Sequence, residues 1–368
     1  MDATEIAQIP PERRPGRAAA TNAAGRYERH ARVAVDDGWG LGEPLPPVRT
    51  EVREERPRSV ITRNTSPDLP FDRSLNPYRG CEHGCIYCFA RPTHAWLDLS
   101  PGLDFETRLI ARPGAAEQLE RELRRKSYRP KVLAIGTNTD PYQPIERDRA
   151  IMRSVLEVLR AYRHPVAVVT KGALVERDID ILAEMAGHGL AQVGISVTTL
   201  DPSLSRKLEP RAPAPARRLQ AIRALTEAGV PVRAMVAPVI PALTDAELEA
   251  ILAAAAGAGA RAASWVMLRL PLEVSALFRD WLAEHVPERA GRVMARVREM
   301  HGGKDYSADW GRRMRGEGHY ARLVAARFGV AARRLGLAEN LPALREDLFR
   351  RPPRRGDQYD LFNRETGP

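Results

Sequence analysis

The chain has 368 residues, 43% of them hydrophobic, and 57 Lys plus Arg against 47 Asp plus Glu, which is ample for a sizeable core and leaves a basic surplus. No run of about eighteen apolar residues occurs and no charged-then-apolar leader opens the chain, so neither a membrane span nor a secretory signal is supported. All three cysteines lie in one loop, which argues against a disulfide scaffold and for a reducing, cytoplasmic setting.

The surplus of basic charge suits a polyanion without specifying one. Lysine is confined to Lys126, Lys131, Lys171, Lys207 and Lys304, and abundant Arg, Ala, Pro and Gly are also the mark of a GC-rich coding sequence.

Taken in order, residues 1 to 60 mix Pro, Arg, Ala and acidic residues with little periodicity and are expected to be extended or disordered. A short island, Asp36-Asp37-Gly38-Trp39-Gly40, could pack onto the body. Asn64 to Asp68 is turn chemistry, and 74 to 78 reads as a first strand leading into the cysteines. Strands are then expected at 131–136, 166–170, 191–198, 231–237 and 263–270. Between them, helices are expected at 147–163, 176–187, 217–228 and 244–258, the last opening on a capping box, Thr244-Asp245-Ala246-Glu247. Apolar strands alternating with amphipathic helices make an α/β fold with a parallel sheet, either an open doubly wound sheet or an incomplete barrel. Residues 61–272 form this core, 273–338 read as a glycine-interrupted helical cap, and 339–368 as a flexible Arg- and Pro-rich tail.

The stretch 76–90 reads Asn-Pro-Tyr-Arg-Gly-Cys-Glu-His-Gly-Cys-Ile-Tyr-Cys-Phe-Ala and holds Cys81, Cys85 and Cys88. Thiolates at this spacing select soft centres: zinc, copper(I) or an iron–sulfur cluster. No fourth cysteine exists, so an iron–sulfur cube here would keep one iron open, whereas zinc would need completion by His83 or His94. Reduced thiols without metal are the remaining alternative.

This loop, with aromatic Tyr87 just before the last cysteine, resembles the cluster loop of the radical S-adenosylmethionine (SAM) enzymes. The resemblance implies one [4Fe–4S] cluster on Cys81, Cys85 and Cys88, with SAM chelated at the open iron. It further implies reductive cleavage of SAM to a 5′-deoxyadenosyl radical, a reductant such as flavodoxin or ferredoxin, and a (β/α)6 partial TIM barrel of radical SAM type. Without further cysteines there is no auxiliary cluster, which weighs against methylthiolation and SPASM-type peptide modification.

Four strand-end motifs narrow the resemblance: Gly136-Thr137-Asn138-Thr139-Asp140-Pro141-Tyr142-Gln143-Pro144, Val169-Thr170-Lys171-Gly172, Ile195-Ser196-Val197-Thr198 and Leu208-Glu209-Pro210-Arg211. Over about residues 60 to 338 they resemble the branch of spore photoproduct lyase and the DNA repair photolyase-like proteins. A bacterial group within that branch shares the Asp-Asp-Gly-Trp island and Leu268-Arg269-Leu270-Pro271. By this resemblance Thr139, Asp140, Ser196 and Thr198 surround SAM, Lys171 and Arg211 meet its carboxylate, and the backbone around Tyr87 faces adenine. Read without it, Asp140 caps a helix, Lys171 is a solvated strand end, and Ser196 and Thr198 face the barrel interior.

Spore photoproduct lyase returns a hydrogen atom from a further cysteine near the end of the second strand, where this chain reads Gly136-Thr137-Asn138-Thr139. That departure argues against direct repair of spore photoproduct and makes Tyr142 the candidate donor. Arg233, Arg269 and Glu273 are candidate substrate contacts, with structural ion pairs as the alternative; His301, His319 and Tyr320 are weaker candidates in the cap. In the tail, Gln358-Tyr359-Asp360-Leu361-Phe362 resembles the short motif by which bacterial repair proteins dock onto the sliding clamp, with Gln358, Leu361 and Phe362 as anchors. The substrate expected is damaged or modified nucleic acid. The contrasting reading is a clamp-tethered nucleic-acid-binding protein with a structural metal centre.

Overall fold

The computed structural model describes residues 8–28 and 46–353. Its strands are β1 (Glu51–Glu54), β2 (Ile61–Arg63), β3 (Arg73–Leu75), β4 (Tyr78–Arg79), β5 (Arg108–Ala111), β6 (Leu133–Ile135), β7 (Val166–Thr170), β8 (Ala191–Ser196), β9 (Val232–Val239) and β10 (Ala262–Met267). Seven of them form one sheet in the order β10-β9-β8-β7-β6-β3-β2. The six from β3 to β10 are parallel and β2 is antiparallel, so the core is the expected (β/α)6 partial barrel. β1, β5 and β4 make a smaller sheet beside it.

Alternation along the strands separates two faces. In β7, Val166, Val168 and Thr170 are buried while Ala167 and Val169 are half-buried. The same holds in β9, where Val232, Ala234 and Val236 are buried against Arg233, Met235 and Ala237. The first set joins helical residues such as Leu156, Leu159, Ile222 and Ile251 in one core; the second faces the concave side. Among the described residues no helix is long and apolar enough to cross a membrane.

Several local expectations change. The strand expected over 74–78 breaks in two, because the chain leaves the main sheet after Leu75 and pairs Tyr78 with Ala111 in the small one. The helix expected over 147–163 is interrupted at Ala150, whose φ is 50°. Thr244 does not close a capping box: its hydroxyl accepts the Ile240 N–H at 2.9 Å, and the Glu247 carboxylate accepts from Thr199 and Leu200.

The termini are also corrected. Residues 8–28 have little regular structure, yet Ala18 and Ala19 are buried against Cys85, Ile86 and Tyr87. Residues 339–353, expected to be a flexible tail, run across the N-terminal ends of the strands. There Arg345 donates its N–H to Gly189, Glu346 accepts from Val132 and Arg350 donates to Tyr162. The Phe349 ring sits among Tyr128, Tyr162 and His164, with centroids 5.7, 6.1 and 5.7 Å away.

Three helices, Glu273–His285, Pro287–Met300 and Gly318–Arg334, form the cap. The connection before the last one crosses the open side of the sheet. Met314 accepts the Met267 N–H of edge strand β10 at 2.8 Å, while Arg313 pairs with Asp68, before β3, at 2.6 Å. The Gly311 N–H adds a bond to the same carboxylate at 2.7 Å.

Candidate active site

The cysteine loop leaves β4 at Gly80 and is held from several directions. The Cys81 N–H donates to Phe105 O at 2.9 Å and the Ile86 N–H to Leu208 O at 3.0 Å. Gly84 has φ 66°, and a side-chain carbon there would lie 2.6 Å from a Glu106 oxygen, so the turn requires glycine. Beneath it, fully buried Arg91 donates to Gly84 O, Cys85 O, Pro101 O and Gly102 O and pairs with buried Glu106 at 2.5 Å. Glu106 also accepts the Ala18 and Ala19 N–H groups, both at 3.0 Å, which ties the N-terminal segment to the loop. A buried ion pair is tolerated when its remaining hydrogen-bonding capacity is filled, as here.

Cys81 and Cys85 are buried and Cys88 is half-buried. Burial, reinforced by Asp140, raises the Cys81 pKa well above the thiol range. Burial likewise pushes Cys85 up to about 12 against the pull of Lys171. Both shifts favour the protonated thiol at Cys81 and Cys85, and a metal centre bound there would release those protons.

Two carboxylates organise the strand ends around the loop. Asp140 accepts from Tyr142 N–H at 2.9 Å, Thr170 hydroxyl at 2.5 Å and Lys171 N–H at 2.7 Å. His83 Nδ1 lies 3.3 Å from it, close enough for attraction but not directed as a hydrogen bond. Burial opposes the Asp140 charge, yet His83 and these donors hold its pKa at about 2. Glu209 accepts from the Tyr87 and Thr198 hydroxyls and pairs with buried Arg218. Burial again opposes the charge, but Arg218 and Lys171 hold Glu209 at about 2.

Lys171 completes the arrangement. Its Nζ lies 5.7 Å from the Tyr87 ring centroid and makes no hydrogen bond or ion pair within 4.0 Å among the described residues. Burial works against its charge, but Cys85 and Glu209 raise its pKa above the ordinary value. The site thus presents an ammonium beside Cys85, unpaired among the described residues, at the C-terminal ends of parallel strands, where ligands of such folds bind.

Sequence comparison agrees with this geometry. The model of the Radical SAM superfamily matches residues 75–255. An uncharacterized protein of Mycobacterium tuberculosis is 42% identical over 235 residues, covering 63% of this chain and 68% of its own. The chain belongs to the radical SAM superfamily. An uncharacterized protein of Methanocaldococcus jannaschii is 28% identical over 173 residues, covering 47% of this chain and 62% of its own. Among solved structures, a mutant of spore photoproduct lyase superposes with a TM-score of 0.57 at 13% identity, covering 78% of this chain and 81% of that one. Spore photoproduct lyase complexed with dinucleoside spore photoproduct gives 0.55 at 13% identity with the same coverage. These likenesses establish the fold of the radical SAM core. Membership of the superfamily implies a [4Fe–4S] cluster and SAM.

The residues singled out in the sequence divide on the radical SAM core. Tyr87, Asp140, Lys171, Thr198 and the three cysteines are linked around the loop. Thr139 lies there too, its hydroxyl donated to Gly80 O at 2.6 Å, so it braces the loop backbone. Ser196 is buried at the end of β8, and its carbonyl accepts from Arg218 at 3.2 Å. Arg211 is paired with Glu82 at 3.0 Å and is no longer a free cation for a carboxylate. Tyr142 is a correction: it is buried in the core between sheet and helices, with its hydroxyl donated to Asp178 at 3.0 Å. Burial and Asp178 raise its pKa further, which suits a structural phenol and not a donor facing substrate.

Arg233 is a second correction. It lies at the N-terminal end of β9, away from the cysteine loop, and donates to Glu339 O at 2.8 Å. Arg269 does reach the loop, its guanidinium 4.1 Å from the ring centroid of Phe89, the residue after Cys88. Glu273 has both carboxylate oxygens buried without a hydrogen bond among the described residues, one of them 3.3 Å from Arg26 Nε. In the cap, Tyr320 donates to Asp245 and His319 is exposed. Gln358, Leu361, Phe362 and the Asp36 to Gly40 island lie outside the described residues.

Sequence reasoning passed over Glu209 as a functional residue, along with Arg218, Arg91 and Glu106. The signal available for Glu209 was its place at the start of Glu-Pro-Arg after a strand, with nothing to show that Tyr87 would meet it.

Proposed function

We propose that this protein is a radical SAM enzyme that holds one [4Fe–4S] cluster on Cys81, Cys85 and Cys88 and acts on damaged or modified nucleic acid by hydrogen-atom abstraction. The observation that carries the reading is the Lys171 ammonium beside the Tyr87 ring of the three-cysteine loop, a cation unpaired among the described residues where a zwitterionic cofactor needs a partner for its carboxylate. Three soft thiolates on one loop can each hold a different iron of a cube and leave the fourth iron open, whereas a structural zinc needs a fourth ligand. A cluster held by Cys81, Cys85 and Cys88, with SAM beside Lys171, would supply a 5′-deoxyadenosyl radical on one-electron reduction by a flavodoxin- or ferredoxin-like partner.

The chain's own residues then have distinct tasks. Arg91, Glu106 and Thr139 fix the loop backbone, while the Tyr87–Thr198–Glu209–Arg218 network fixes the floor beneath it. Lys171 receives the carboxylate, and Arg269 with Glu273 lines the side from which substrate approaches. Support for nucleic acid is the basic surplus together with the fold shared with a lyase solved with a dinucleoside. Docking of the 358–362 motif on a sliding clamp would bring the enzyme to DNA.

The test is anaerobic reconstitution with iron and sulfide, reduction, addition of SAM and chromatographic detection of 5′-deoxyadenosine. Product should form in the wild type and disappear, with the absorbance near 400 nm, in Cys85→Ala. Cleavage retained without Cys85 would overturn the assignment.

A further inference from the structure

The cap holds a second site that the chemistry above does not use. His301 follows helix Pro287–Met300 and is only 4% exposed, yet among the described residues neither ring nitrogen has a hydrogen-bond partner. The Leu268 backbone is near but not directed at either nitrogen. A buried polar group left unpaired is destabilising, so this imidazole is placed for something that binds it. It lines a cavity of about 290 Å³ together with Lys304, Tyr306, Asp309, Arg312 and Glu317.

The lining decides what fits. Its formal charges balance, with Lys304 and Arg312 against Asp309 and Glu317, and Arg312 is already 3.2 Å from Glu317 and 3.9 Å from Asp309. A phosphate would meet two carboxylates and a metal ion two cations, whereas an uncharged ring with donors and acceptors along its edge meets both kinds of partner. Burial lowers the His301 pKa, so the imidazole offers one N–H and one lone pair at neutral pH. The Tyr306 ring, 6.1 Å from the His301 ring, supplies an aromatic wall. The volume is near the lower limit for small-molecule pockets and suits a single heterocycle.

Position ties the cavity to the mouth of the barrel. Leu268 follows β10, and the next residue, Arg269, lies over Phe89 beside Cys88. We propose that the His301–Tyr306 cavity takes one unstacked nucleobase of the substrate strand, a neighbour of the nucleotide at the cluster, with His301 hydrogen-bonded to its edge. This rests on the nucleic-acid reading above. Enzymes that act on a base read extruded bases by such edge contacts and aromatic walls.

The experiment measures binding of a fluorescein-labelled single-stranded DNA decamer to the reconstituted full chain by anisotropy, alongside decamers with one abasic residue at each position in turn. In the wild type, one abasic position should weaken binding about tenfold, in line with the worth of one stacked base. His301→Leu and, independently, Tyr306→Leu should weaken the intact decamer by a similar factor and abolish the penalty at that position. The two variants guard against a folding defect in either, which thermal melting would reveal. If the decamer binds but neither the abasic scan nor the variants matter, His301 holds an ordered water only and the proposal falls while the nucleic-acid reading stands. If the wild type binds no decamer at all, both fall.

Discussion

Lys171 faces the Tyr87 ring from 5.7 Å and has no hydrogen-bond or ion-pair partner among the described residues, although it is half-buried among Cys85, Glu209 and Asp140. An ammonium kept charged in such a place is preorganised for an anionic group. Lys171→Met should weaken SAM binding by about tenfold to a hundredfold, the worth of one charge-assisted hydrogen bond of about 1.5–3 kcal/mol. Equilibrium dialysis with labelled SAM measures it, and iron content should stay at the wild-type level. Unchanged affinity would remove Lys171 from the cofactor site.

The Arg91–Glu106 pair makes a prediction about folding. Replacing one partner leaves the other charge buried, so Glu106→Leu or Arg91→Met alone should cost about 3–5 kcal/mol. The double variant should recover part of that loss, because two apolar side chains leave no stranded charge. Urea titration of the cluster-free protein reads both effects. Glu106→Leu should also loosen the N-terminal segment, since the Ala18 and Ala19 N–H groups lose their acceptor.

Glu209 links the site to pH. Its folded pKa of about 2 lies below the ordinary 4.5, so between these values the unfolded chain binds more protons than the folded one. Its contribution is fully present above 4.5 and is lost as the pH falls toward 2, at about 1.4 kcal/mol for each unit of depression. In Glu209→Gln the acid limb of a urea-stability profile of the cluster-free protein should be shallower in that window. An unchanged slope would mean that Arg218 and Lys171 do not hold the carboxyl down.

Tyr142→Phe separates a structural phenol from a radical relay. The Tyr142 hydroxyl serves Asp178, which also receives bonds from Arg177, so its loss should cost about 1 kcal/mol in stability. The yield of 5′-deoxyadenosine, and its dependence on added substrate, should not change. A variant that cleaves SAM but stalls with a trapped organic radical, seen by electron paramagnetic resonance, would restore Tyr142 as a donor.

What could be read from the chain was whatever local chemistry dictates. β7 was legible because apolar residues fill 166–169 between Pro165 and the Lys171-Gly172 turn, and the cysteine loop because its three ligands sit within eight residues. Long-range meetings were not legible. Nothing in the spacing of Tyr87, Thr198 and Glu209 says that their oxygens share one network, and a tyrosine near a strand end carries no mark of which face it takes. The N-terminal segment escaped notice for another reason: Ala18 and Ala19 bind Glu106 through backbone N–H groups, which any residue but proline could supply.

The C-terminal tail was read as one flexible piece, whereas residues 339–353 are bound to the barrel, and the two parts should respond differently to truncation. Arg345, Glu346 and Arg350 replace missing partners for backbone groups at the N-terminal ends of the strands, and Phe349 covers Tyr128, Tyr162 and His164. Ending the chain after residue 338 should therefore strip an aromatic contact and several hydrogen bonds and lower the melting temperature by several degrees, a loss of about 1–3 kcal/mol for the Phe349 side chain alone. Ending it after 353 removes Gln358, Leu361 and Phe362 but none of these contacts, so the melting temperature should stay within about one degree of the wild type. If 358–362 is the clamp anchor, that shorter truncation should abolish binding to immobilised sliding clamp. Clamp binding that persists in a stable, truncated protein would defeat the tether.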